Sequence, residues 1–356
     1  MIRGYAVEDL DIVAGKSDPI LITGASGFIG RRVVETLLSS GFENLRCLTR
    51  HSSDLKGLLD IITPCKKAKV GVIEGNLLRP DDCKTAVEGV YVVYHLAAGR
   101  GEKSFPNAFL NSVVTTRNLL NACLANGNLK RFVNVSSFTV YNNRKIRHGG
   151  LLDESCPMEK EPEKRGEAYC YAKVKQDELV VDYGRRFNIP YVIMRPGVVY
   201  GPGNKGIHGR VGIGTFGLFL HLGGANIIPL TYVDNCAEAI ALAGIKKGID
   251  GEIFNIVDDG LPTSRQFLRS YKRNVRRFPS IYLPRFASYM LCFSWERYSE
   301  WSRGQLPPAY NRYLWAAVWK GDKYSNQKVS DRLGWRPKID LKEGLRRYFE
   351  YAKKNQ

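Results

Sequence analysis

Disulfide and metal patterns are missing from this chain of 356 residues. The eight cysteines stand at 47, 65, 83, 123, 156, 170, 236 and 292, and no two form a CxxC pair. Scattered thiols in a long chain argue against a disulfide framework and for a reducing compartment, so a cytoplasmic location is expected. The five histidines are dispersed and show no metal-ligand spacing. No apolar run approaches the roughly 18 residues of a spanning helix. The first residues, "MIRGYAVEDLDIVAGKSD", carry early acids and do not read as a signal peptide. Acids are scarce: 35 against 53 bases, a net charge of +18. That balance suits anionic partners such as phosphates, nucleic acid or an anionic membrane surface. Yet the bases are spread out and no nucleic-acid motif occurs, so no specific nucleic-acid partner is expected. The densest clusters, "NRKIRH" (143–148) and "SYKRNVRR" (270–277), read as solvated faces. Internal repeats and low-complexity tracts are absent too.

What remains is an ordinary globular balance, 44% hydrophobic and 25% charged, with ample length for a core. The sharpest local signal is "PILITGASGFIGRRVVETLLSSG" (19–41). A short apolar run reads as a buried strand, Gly24, Gly27 and Gly30 follow, and an amphipathic helix runs to about Leu38. Strand, glycine turn and helix together form a dinucleotide-binding context. Gly24 permits a tight turn, Gly27 a close backbone approach to a pyrophosphate, and Gly30 close helix–strand packing. Free N–H groups and the helix dipole then favour the diphosphate. Strand-like and helix-like segments go on alternating, which predicts an α/β fold with a parallel sheet.

A second signal is "EAYCYAKVK" (167–175). Tyr169 and Lys173 are four apart, so a helix puts both on one face. An ammonium beside a phenol favours the phenolate and makes a general acid/base near neutral pH. Tyr171 and Lys175 have the same spacing, and these nine residues alone do not separate the pairs.

The order of motifs separates them. "TGASGFIG", then "SSFTVY", then Tyr169-x-x-x-Lys173 resembles the extended branch of the short-chain dehydrogenase/reductase superfamily, the NAD-dependent epimerase/dehydratase family. The resemblance covers about residues 18–350, including "RPGVVYGPG" and "YVDNCAEAI". It implies a doubly wound Rossmann domain over 18–200, completed by about 230–258. It also implies a smaller substrate-binding domain from 201–229 and 259–352, and a homodimer. The catalytic set it implies is Ser137, Tyr169 and Lys173, with Asn111 in a supporting relay. Around the cofactor it places Gly24, Ser26, Gly27, Phe28 and Ile29 in the loop; Arg50, Asn76 and Leu77 after the second and third strands; Leu96, Ala97 and Ala98 after the fourth; and Pro196 and Val198 beside the nicotinamide. His95 is read as packing its turn. Relatives that prefer NAD carry an acid where Arg50 stands. An arginine there pairs with a 2′-phosphate, so NADP(H) is expected, with NAD(H) as the alternative.

The substrate is a small molecule whose identity is less legible. The sequence lacks the Thr-Asp-Glu of 4,6-dehydratases after the catalytic strand. It has Leu230-Thr231 where many sugar-nucleotide epimerases have Arg-Asp. "TRHSSDLKGL" resembles the 3β-hydroxysteroid dehydrogenase and dihydroflavonol reductase-like subgroup. An alcohol/ketone oxidoreductase is therefore favoured over a sugar-nucleotide epimerase, although +18 suits a diphosphate substrate. The polar segment 142–168 reads as a long loop, a candidate lid. The aromatic segment 281–319 reads as a helical cap with its own core. Its interleaved Trp, Tyr and Arg raise peripheral membrane contact as the alternative.

Overall fold

The apolar run Ile20–Thr23 is a strand buried along its whole length, β1. The structure, a computed structural model, describes residues 11–355 apart from 100, 103, 205, 304, 307 and 308. Beside β1 lie β2 (Asn44–Thr49), β3 (Lys69–Glu74), β4 (Val92–His95) and β5 (Arg131–Val135). A two-residue strand, β6 (Leu151–Leu152), lies apart from them, and β7 (Tyr191–Pro196) and β12 (Ile253–Ile256) rejoin the sheet. The seven-stranded sheet has the order β12-β7-β5-β4-β1-β2-β3, and every pairing in it is parallel.

Side-chain alternation explains the layers, since successive strand residues point to opposite faces. Ile20, Ile22, Val92, Tyr94, Val133, Val192 and Met194 enter the core on one face. Leu21, Val93, Phe132 and Ile193 enter the core on the other. Helices α1 (Gly30–Ser39), α2 (Lys56–Ile62) and α7 (Val233–Ile245) serve the first face. Helices α3 (Pro80–Val87), α5 (Thr115–Asn126) and α6 (Ala168–Phe187) serve the second. This is the expected doubly wound sheet. The chain leaves β1 toward β2 and β3, then crosses back to β4, so strand order reverses between β1 and β4. In such sheets ligands bind at that switch point, outside the strands' carboxyl ends.

The helix read from residue 111 starts earlier. Helix α4 (Phe105–Phe109) continues through a π-helical turn, Leu110–Val114, into α5. Such turns are rare and concentrate at functional sites.

The remaining elements gather at the carboxyl edge. Strand β8 (Val198–Tyr200) pairs with β11 (Leu230–Tyr232). The hairpin β9 (Gly212–Thr215) and β10 (Leu218–His221) carries β13 (Ser280–Tyr282) along its edge. Strand β14 (Lys323–Tyr324) pairs with β6. Helices α8 (Ser264–Asn274), α9 (Arg285–Trp301), α10 (Arg312–Val318) and α11 (Leu341–Lys354) complete the chain. Segment 281–319 holds the end of β13 and helices α9 and α10, and its Cys292, Leu314, Trp315 and Trp319 share a core cluster with Leu222 beyond β10. Among the described residues no helix is long and apolar enough to cross a membrane, and no group of metal-binding side chains occurs.

Segment 142–168 has little regular structure beyond β6 and a 3-10 turn at Pro162–Arg165, but it is fastened down. Asn143 donates to the Ala316 carbonyl at 2.7 Å and to Asp322 Oδ2 at 2.5 Å. Lys320 donates to the carbonyls of Asn143 and Ile146. Arg165 is buried and donates to the Thr139 carbonyl at 2.7 Å. The lid reading is therefore corrected: this segment is a clamp between the catalytic strand and α10.

Candidate active site

A cleft of about 530 Å³ opens at the switch point. Every residue singled out from the sequence as catalytic or cofactor-contacting lines it, from Gly24 and Ser26 to Pro196 and Val198. Asn111 lines it too, from the π-turn.

The glycine loop has the shape its composition predicts. Gly24 has φ +69, and a Cβ there would lie 2.9 Å from the Ala97 nitrogen. The loop after β1 thus sits hard against the Leu96-Ala97-Ala98 turn after β4. A Cβ on Gly30 would lie 2.1 Å from the Gly24 carbonyl, so only glycine lets α1 start under that turn. Gly27 is exposed in the cleft wall, and Phe28 and Ile29 lead into the helix. The result is a cradle of backbone at a helix N-terminus, which suits a diphosphate. Arg50, at the end of β2, is exposed and pairs with no carboxylate among the described residues. Asn76 Oδ1 accepts from the Leu78 N–H at 3.0 Å, which holds the turn after β3. Leu77 beside it is buried.

Helix α6 places the reactive side chains. Tyr169 is half-buried in the cleft wall and Lys173 is 3% exposed one turn below. Lys173 Nζ donates to the Val135 carbonyl at 2.7 Å and to Gln176 Oε1 at 2.8 Å. An ammonium has three donors, so one remains for the cleft. Burial lowers the Lys173 pKa to about 8, while Asp177 acts the other way. The group is still mostly charged at neutral pH. Ser137 ends the strand β5 segment and opens a 3-10 turn, its Oγ accepting from Thr139 N–H at 3.3 Å. Tyr171 is elsewhere, its ring edge-on to Phe105 at 5.3 Å. Lys175 pairs with Glu178 at 2.8 Å. The second Tyr–Lys pair is therefore structural.

Two networks support the set, and sequence reading did not find them. First, Gln176 donates to Thr116 Oγ1 at 2.7 Å, and Thr116 donates to the Ser112 carbonyl at 2.6 Å. His95 Nε2 lies 2.8 Å from the same hydroxyl, and its Nδ1 lies 2.8 Å from Thr23 Oγ1. Because the Thr116 hydrogen is spent on Ser112, Nε2 carries the imidazole proton and Nδ1 accepts from Thr23. Burial lowers the His95 pKa to about 3, so it stays neutral. It packs its turn, as expected, and does not line the cleft. Second, Asp177, fully buried one turn beyond Lys173, accepts from Asn134 at 2.9 Å, Ser136 at 2.9 Å and Arg195 at 3.0 and 3.1 Å. This ties α6 to β5 and β7 directly beneath Ser137. The only sequence signal was an acid on the Tyr169–Lys173 face of the helix.

Comparison with known proteins now bears on the site. Residues 20–257 match the model of the NAD dependent epimerase/dehydratase family. The chain belongs to that family. The members have the extended short-chain dehydrogenase/reductase fold and are nicotinamide-dependent enzymes. A trifunctional UDP-glucose 4,6-dehydratase/3,5-epimerase/reductase of Arabidopsis thaliana is 29% identical, over 67% of this chain and 36% of its own length. A 2-alkyl-3-oxoalkanoate reductase of Stenotrophomonas maltophilia is 25% identical, over 92% of this chain and 97% of its own. The chain spans only 36%, 48% and 38% of the first three curated relatives it matches. The crystal structure of a UDP-glucuronic acid 4-epimerase from Bacillus cereus, with UDP-glucuronic acid and NAD, has a TM-score of 0.70. It is 22% identical and covers 95% of this chain and 100% of its own, and that likeness concerns the fold.

Proposed function

We propose that this chain is an NADP(H)-dependent oxidoreductase that interconverts an alcohol and a ketone of largely apolar character. The observation that carries the substrate class is a second cavity of about 280 Å³ beside the nicotinamide end of the cleft, sharing Val198, Val199, Asn204 and His208 with it. Val211, Ile228, Leu230 and Phe267 line its interior together with Tyr200 and Tyr348, and Asn204 and His208 stand where the two meet. The hydroxyls of a sugar ring would outnumber the side-chain partners here, chiefly Tyr200, Asn204 and His208, and each one left unpaired costs about 1–3 kcal/mol. A ketone with an apolar body and an oxygen within reach of the Tyr200 hydroxyl, which has no partner among the described residues, leaves fewer groups unpaired. Segments 201–229 and 259–352, which supply much of this wall, are the proposed substrate-binding part; 18–200 with 230–258 is the dinucleotide part.

When bound, the dinucleotide supplies or accepts the hydride. The chain handles the oxygen. Tyr169 gives its phenolic proton to the carbonyl oxygen in reduction and takes it back in oxidation. The Lys173 ammonium favours the phenolate left behind and keeps one donor for the nicotinamide ribose. Ser137 donates to the same oxygen as charge develops on it. Arg50 pairs with the 2′-phosphate. Asn76 has its amide nitrogen left for the adenine. A cytoplasmic homodimer is the proposed state.

The second reading, a sugar-nucleotide epimerase, is favoured by the +18 charge and the UDP-sugar enzymes among the relatives. The two separate in one experiment. NADPH consumption is followed with a panel of apolar ketones and, in parallel, UDP-sugars are followed for epimer formation. Net oxidation of NADPH by a ketone supports the oxidoreductase. Epimer formation with no net change in dinucleotide overturns it.

A further inference from the structure

Between Asp259 and Glu296 the chain carries seven Arg or Lys residues and no Asp or Glu. Arg265, Arg269 and Arg273 recur every four residues on the exposed side of α8, opposite buried Phe267, Leu268 and Tyr271. Arg276 and Arg277 follow, also exposed. Among the described residues none of these five arginines pairs with a carboxylate. The basic helix is joined to β13: Arg265 lies 5.1 Å over the Tyr282 ring, and Lys272 lies 4.9 Å over Phe278. Strand β13 is a sheet edge with Ile281 exposed, and it runs through Leu283 and Pro284 into α9.

Apolar side chains gather along the same stretch. Helix α9 buries Ser288, Cys292 and Ser299 and turns Phe286, Met290, Leu291, Tyr298 and Trp301 to solvent. Phe286 and Trp301 are each 76% exposed. At the tip of the β9–β10 hairpin, alongside the 276–279 segment, Phe216 is fully exposed and has φ +44. A bulky residue adopts that region only under strain.

We propose that this surface docks on an anionic lipid bilayer, with the arginines over the headgroups and the α9 aromatics in the interface. Charge decides the occupant. Lipid phosphates neutralise unpaired arginines while the acyl boundary takes up Phe, Met, Leu and Trp. A second copy placed face to face would set these five unpaired arginines against their like, while Glu296 and Glu300 of α9 are already paired with Arg312 and Arg297. Nucleic acid would satisfy the arginines but leave Met290, Leu291 and Phe286 in water. The proposal is independent of the substrate reading, since none of these residues lines the cleft.

The test is co-sedimentation of the full chain with phosphatidylcholine vesicles, with and without an equal part of phosphatidylglycerol, at low and high salt. Trp301 reports depth, because Trp315, Trp319 and Trp335 are buried and Trp295 is half-buried against Tyr310, and quenching by brominated lipid should drop sharply from wild type to Trp301→Phe. Binding should require phosphatidylglycerol and fall with salt. Each cation near an anionic surface contributes on the order of fivefold in affinity, so Arg273→Gln/Arg276→Gln/Arg277→Gln should bind at least roughly tenfold more weakly. Phe286→Ser/Trp301→Ser should also lose binding with an unchanged melting temperature. Three results would overturn the proposal: no binding to either vesicle, equal binding to both, or a wild-type dimer that Phe286→Ser/Trp301→Ser converts to monomer. Salt-sensitive binding to generic RNA without vesicle binding would overturn it too.

Discussion

Tyr169 and Tyr171 stand two residues apart and have opposite fates. Successive helical residues are about 100° apart, so Tyr169 faces the cleft while Tyr171 closes on Phe105 and Phe109. Tyr169→Phe keeps the ring and removes the proton donor. Turnover should fall by about 100- to 10,000-fold, the usual worth of general acid/base catalysis, with NADPH affinity retained. Tyr171→Phe should turn over like wild type; steady-state rates with dinucleotide titrations check both. Lys173 sets the pH behaviour. With its pKa lowered to about 8 by burial, activity should decline through an alkaline limb near that pH, and Lys173→Arg should move the limb upward or abolish it. The stability sign is opposite. The unfolded lysine keeps its proton up to its ordinary pKa of 10.5, so between about 8 and 10.5 the unfolded chain binds more protons. Stability owed to this group therefore rises with pH across that window, which urea unfolding at graded pH measures.

At the scale of the element, α6 is a rod whose one face carries Tyr169, Lys173 and Asp177 at intervals of four. Asp177 holds Arg195 and Ser136, so it fixes the height of the helix against the sheet. Asp177→Asn keeps the shape and leaves Arg195 charged in the core. Breaking a buried pair by removing one partner costs about 3–5 kcal/mol, and denaturant unfolding should show a loss of that order. Here the line between legible and illegible runs clearly. The strand–glycine–helix unit and the Tyr169–Lys173 spacing are local patterns, and the parallel order follows from alternation of elements. The Asp177–Asn134–Arg195 network joins residues 18 to 43 positions apart, and no local pattern encodes such a contact. The π-turn at Leu110–Val114 differs from an α-helix by one hydrogen-bond step, below what periodicity resolves. The 142–168 segment reads as a free loop because its anchors, Ala316, Lys320 and Asp322, lie more than 150 residues away.

Across the whole molecule, those anchors join the catalytic strand to the C-terminal helices. Removing the Asp322 carboxylate leaves the buried Asn143 amide short of an acceptor, a cost of about 1–3 kcal/mol. Asp322→Ala should open the clamp, and limited trypsinolysis should then cut at Arg144, Lys145 or Arg147, which wild type should resist several-fold longer. The cleft is lined by the end of the catalytic strand at Val135, Ser136 and Ser137, and dinucleotide binding tests it most directly. NADPH and NADH are titrated into wild type and Arg50→Ala, with nicotinamide fluorescence as the readout. Saturable binding of both, tighter for NADPH, with the preference lost in Arg50→Ala at a cost of about 1.5–3 kcal/mol for one charged hydrogen bond, is the predicted result. No saturable binding of either dinucleotide would contradict the assignment of the cleft, and an equal loss for both in Arg50→Ala would contradict the role given to Arg50.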